Sequence, residues 1–140
     1  MSNQWIAPES CPSLAVLVET VTAPLLIQHS SPICLEMEME DSIGIPADPN
    51  QTAEVIRALV TQMLGEMPNG GELTIVAHET KGAVELQLAD SGCPVENRAC
   101  SIPMAAASIG ANLNWQSGPQ GGAVVKITFG RRGQSGRRAA

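Results

Sequence analysis

Apolar and polar positions along the chain change period several times, and each change marks an element. From Ser13 the run SLAVLVETVTAPLLIQHS puts Leu14, Leu17, Val18, Val21 and Leu25 on one helical stripe, with Ser13 as N-cap. Pro24 falls late in this stripe and is expected to kink or end the helix, because it removes a backbone donor. His29, Ser30, Ser31 and Pro32 form a connection, after which the period drops to two. In ICLEMEME, Ile33 to Glu40, the residues Ile33, Leu35, Met37 and Met39 share one face and mostly acids the other, as in a half-buried strand. A short strand over Ile43–Ile45 is expected next.

The middle of the chain carries the clearest signals. Asp48 before Pro49 reads as an N-cap followed by proline at the first helical position. The helix so started predicts Val55, Ile56, Leu59, Val60, Met63, Leu64 and Met67 as one buried stripe, closed by Pro68-Asn69-Gly70-Gly71. Leu73–His78 and Ala83–Ala89 alternate as strands joined by a hairpin at Glu79–Gly82. The irregular link CPVENRACS follows Asp90-Ser91-Gly92, then a helix over about Ile102–Ile109 closed by Gly110. Strands at Ala111–Ser117 and Ala123–Phe129, around a turn at Gly118–Gly122, finish the pattern. The order predicts an α/β (α+β) two-layer sandwich: a mixed, mostly antiparallel sheet with helices on one face.

Length and composition narrow the classes. The 140 residues fit one domain, read as an irregular lead at 1–12, a single domain at 13–130 and a basic, solvated tail at 131–140. The longest apolar run falls short of the roughly 20 residues that span a bilayer, and the N-terminus lacks a secretory pattern, so no membrane association and a cytoplasmic location are expected. Net charge is −6, but Arg131, Arg132, Arg137 and Arg138 sit in the last ten positions, leaving the first 130 residues at −10. An acidic body without tyrosine and with a single phenylalanine disfavours nucleic acid as a partner. Cys11, Cys34, Cys93 and Cys100 match no zinc spacing and read as small buried hydrophobes, with a reactive thiol beside Asp90 as the alternative. His29 and His78 read as structural or solvated.

The colinear set resembles the ATP-binding catalytic domain of sensor histidine kinases, the Bergerat-type ATPases, over about residues 13–130. Ile56–Ile75, IRALVTQMLGEMPNGGELTI, falls on that family's N-x-x-x-N-A helix motif and following P-x-G-G turn. Asp90-Ser91-Gly92-Cys93-Pro94 falls on its Asp-x-Gly-x-Gly motif, and ANLNWQSGPQGGAVVKITF on its closing hairpin. The resemblance implies a site for ATP with Mg²⁺. Gln62 stands at the position of the metal-binding asparagine and keeps an amide oxygen on a stem one methylene longer. Ala58, one turn earlier, stands at the other asparagine and has nothing with which to coordinate. Asp90 matches the carboxylate that takes the adenine amino group, Gly92 the glycine that admits the base, and Pro94 replaces the next glycine.

A further departure concerns phosphate binding. The family places a long lid and a glycine-rich box before its late helix, where this chain has only Val95–Ser101 without any glycine. The resemblance therefore implies a degenerate, non-catalytic domain acting in signal transduction through a protein partner, with a homodimer as a further option. Two alternatives stay open: a domain that still binds ATP or ADP, and a stand-alone kinase of the anti-sigma type. Without resemblance, Asp-Ser-Gly is ordinary turn chemistry and Gln62 a plain helix-surface residue.

Overall fold

The computed structural model describes residues 7–119 and 121–129; the basic tail and the first six residues lie outside them. Helix α1 spans Leu14–Gln28, strand β1 Ile33–Glu38, helix α2 Pro49–Gly65, strands β2 Gly71–Thr80 and β3 Ala83–Asp90, helix α3 Met104–Ser108, and strands β4 Asn112–Ser117 and β5 Ala123–Phe129. Single 3₁₀ turns lie at Pro8–Ser10, inside the expected irregular lead, and at Val95–Asn97.

The five strands form one sheet in the order β1-β2-β3-β5-β4. β1 and β2 are parallel, as their connection through α2 allows, and every other pairing is antiparallel. The β2–β3 turn is tighter than expected: Lys81 (φ 52°) and Gly82 (φ 82°) alone join the strands, the left-handed pair that matches strand twist.

Register puts Leu35, Leu73, Leu88, Val125 and Trp115 on one face, with Met37, Ile75, Leu86, Ile127 and Leu113 along it. That face meets both long helices in a single core. The whole expected stripe from Val55 to Met67 is buried, Met67 lying just past the end of α2, and Asp48 Oδ2 accepts from Gln51 N at 2.9 Å at the helix start. α1 buries Leu14, Leu17, Val18 and Val21, with Ser13 Oγ accepting from Val16 N at 3.3 Å. The opposite sheet face carries Glu36, Thr74, Gln87, Lys126 and Asn114, none of them buried.

Several local expectations need correction. α1 does not end at Pro24; it runs on to Gln28, because one missing backbone donor is outweighed by Leu25 and Leu26 packing on the core. β1 stops at Glu38 rather than Glu40. Ile43–Ile45 is not a strand: Ile43 is buried and its carbonyl accepts from Leu14 N at 2.9 Å, so the loop closes over the start of α1. The late helix is shorter than expected, five residues with Pro103 as its N-cap, and is followed by Gly110 at φ 66°. Of the cysteines only Cys11 is buried; Cys34 and Cys93 are exposed and Cys100 is half-buried.

Candidate functional site: a buried aspartate and arginine at the end of β3

β3 alternates inward residues Val84, Leu86 and Leu88, and the same parity turns Asp90 toward the helical layer. A carboxylate buried there needs donors, since an unpaired buried charge is strongly unfavourable. Gly92 N donates to Asp90 Oδ1 at 2.9 Å, the local Asx turn that Asp-Ser-Gly favours. Ala123 N, at the start of β5, donates to the same oxygen at 3.4 Å. Gly122 is required beside it, because a Cβ there would lie 1.7 Å from the Asp90 carbonyl oxygen.

The main partner comes from the link that follows. Arg98 Nη1 donates to Asp90 Oδ2 and Nη2 to Oδ1, each at 2.7 Å, a bidentate fork with side chains 1 % and 0 % exposed. Arg98 Nε also donates to the Cys93 carbonyl at 2.9 Å, and Nη2 turns to the same oxygen. The hydrogen-bonded Asp90 carboxylate raises the Arg98 pKa above its already high value, against the opposing effect of burial. The pairing therefore favours the cationic guanidinium.

Two further ties fix this link as a strap. Gln62 Nε2 donates to the Ser101 carbonyl and Ser101 N donates back to Gln62 Oε1, both at 3.1 Å. Ser117 Oγ, at the end of β4, donates to Glu96 Oε1 at 2.9 Å and accepts from Val95 N at 3.3 Å. Hydrogen bonds from backbone and from Ser117 lower the Glu96 pKa. Burial pushes the Cys100 thiol up, which lowers its thiolate fraction near neutrality.

The four residues expected to form a nucleotide site thus meet different fates. Asp90 and Gly92 are brought together; Gln62 lies apart, on α2, bonded to the strap; Ala58 is half-buried one turn before it and contributes no polar group. Sequence reasoning assigned no role to Arg98, Ser101, Glu96 or Ser117. Arg98 carried a signal: it is the only cation between Lys81 and Lys126, and it follows a carboxylate that ends an inward-facing strand.

As arranged, these donors do not fit an adenine base or a magnesium ion. Both Asp90 oxygens hold Arg98, and both polar atoms of the Gln62 amide hold Ser101. The space off Gly92 is closed as well: a Cβ there would lie 2.6 Å from the Glu66 carbonyl and 3.2 Å from Arg98 Nη2. Among the described residues no group of three or more His, Cys, Asp or Glu side chains is placed to hold a metal. A cavity of about 240 Å³ adjoins this end of β3, lined by Asp90 and Ser91 together with Glu72, Thr74, Ala89 and Val124.

No family model matches the sequence, and no curated protein matches it. Solved structures do. The nucleotide-free catalytic domain of histidine kinase ThkA aligns with a TM-score of 0.69 and 14% identity, over 85% of this chain and 92% of that one. The mycobacterial sensor histidine kinase MprB aligns with a TM-score of 0.66 and 16% identity, over 84% and 95%. The cytoplasmic segment of histidine kinase QseC gives 0.64 and 17%, over 85% and 72%. The chain has the fold of histidine kinase ATP-binding domains. Among the described residues no helix is long and apolar enough to cross a membrane.

Proposed function

We propose that this chain is a degenerate, non-catalytic kinase-type domain that works in signal transduction by binding another protein. The observation that carries the reading is the strap: Arg98 sits on both oxygens of Asp90, and Gln62 is committed to Ser101. Phosphoryl transfer depends on positioning and electrostatic stabilisation of phosphates. Here the segment that would have to provide it is a short 3₁₀ turn over Val95–Asn97, with Pro94 before it and no glycine through Ser101. What the fold retains is a folded surface, and binding a protein partner, or a second copy, needs no more than that.

The alternative, a nucleotide sensor, draws support from Asp90 and Gly92 being held together at the end of β3. It requires Arg98 to leave. The two readings separate in a melting experiment with ATP or ADP, with and without Mg²⁺. A ligand at 100 times its dissociation constant adds about 2.7 kcal/mol of stability. The expected outcome is no change in melting temperature at millimolar nucleotide; a saturable rise favours the nucleotide sensor instead, and a Mg²⁺-dependent rise that is lost in Gln62→Ala favours a metal role for Gln62.

A further inference from the structure

We infer that the outward face of α1 is a docking surface for a second copy of this chain, packed there antiparallel. The inference rests on the protein-binding reading and names both the surface and the partner. α1 turns Leu14, Leu17, Val18, Val21 and Thr22 into the core. At about 100° per residue, the opposite side of the same helix carries Val16, Thr20, Ala23 and Ile27. The first three are half-buried and Ile27 is 82 % exposed. Glu19 is the only charged residue of α1. α2, the other long helix, instead presents the Glu54–Arg57 ion pair to water. A helix that is apolar on both sides is expected to be covered on both.

Charge and spacing choose the occupant. Without the four tail arginines the chain stands at −10, so two copies repel and can meet closely only over a neutral surface. A basic partner gains nothing from a stripe without acids. The stripe is spaced four, three, four, as in the seam between paired helices. About a two-fold axis between Val21 and Thr22 it is self-complementary. Val16 then stands level with Ile27 of the second copy, and Thr20 with its Ala23, small residues at the centre and large ones at the ends. Pro24 has no N–H to give the Thr20 carbonyl, four residues before it. The Thr20 hydroxyl of the second copy, about 4.5 Å away along the axis, supplies a donor there. The two Glu19 carboxylates lie beside the seam, about 7.5 Å apart along the axis.

The test is sedimentation velocity of the full chain against concentration. A seam of this length falls at the small end of protein interfaces, so a monomer–dimer midpoint in the high micromolar range is expected. Ile27→Glu is expected to raise that midpoint by about tenfold or more. Thr20→Glu and Ala23→Lys are each expected to be monomeric alone and to dimerise when mixed, because the two charges then meet across the seam. Should either half-buried substitution unfold the chain, Ile27→Glu, at an exposed position, decides the matter. A chain that stays monomeric throughout, a dimer that survives Ile27→Glu, or folded charged variants that do not pair when mixed each overturns the inference. A monomeric chain whose melting temperature falls with Ile27→Glu overturns it too, since the face is then covered from within the chain. All of these leave the non-catalytic reading standing, which fails instead when nucleotide raises the melting temperature.

Discussion

At the scale of single residues, the Asp90–Arg98 pair and the Glu54–Arg57 pair show how burial sets what an ion pair is worth. Glu54 and Arg57 lie three apart on the outer face of α2, with side chains 61 % and 44 % exposed, where such pairs contribute about 0–1 kcal/mol. Asp90 and Arg98 are withdrawn from water, so removing one partner strands a buried charge at a cost of about 3–5 kcal/mol. Urea unfolding of Glu54→Ala and Arg98→Ala is expected to show this contrast, with a large drop only for the second. Asp90→Asn/Arg98→Met is expected to recover part of the loss. Asp90 itself was legible in the sequence through the Asp-Ser-Gly that follows the alternating strand and falls on the family motif. Its partner was not, since nothing in the spacing of Asp90 and Arg98 says that the intervening link doubles back.

Among the elements, those whose pattern is periodic were legible and those held by single contacts were not. α2 has a cap, a helix-starting proline and an unbroken stripe, and all of them appear in the fold. The Ile43–Ile45 segment reads as a strand by composition, yet its one decisive hydrogen bond goes to the start of α1 rather than to a neighbouring strand. The strap is the extreme case, since Gln62–Ser101 and Glu96–Ser117 join residues 39 and 21 positions apart. Its pH response follows from Glu96, whose pKa is lowered by hydrogen bonds to its charged form. A carboxylate depressed in the folded state contributes stability above its unfolded pKa and loses it as pH falls through the folded value. Stability measured against pH is therefore expected to fall below the ordinary glutamate range. Glu96→Gln and Ser117→Ala are each expected to flatten that acid limb, and an unchanged limb in both counts against this tie.

For the molecule as a whole, the sheet order and the two-layer arrangement follow from the colinear run of helix starts, turns and alternating strands. That run keeps the kinase-type fold at 14–17% identity, because patterning and turn chemistry, rather than particular side chains, specify it. Chemistry is a separate layer. Ala58, Gln62 and the glycine-free strap lie outside the buried apolar cluster that joins the sheet to both long helices, so the fold does not depend on which side chains stand there. The central claim is that the end of β3 is closed by the chain's own arginine. Side-chain nitrogen NMR of Arg98 tests it most directly, recorded with and without millimolar ATP and Mg²⁺. The account predicts a slowly exchanging Arg98 guanidinium signal whose position and exchange rate do not change when nucleotide is added. A signal that exchanges as fast as a solvated arginine, or that moves and sharpens as ATP is titrated in, would contradict it.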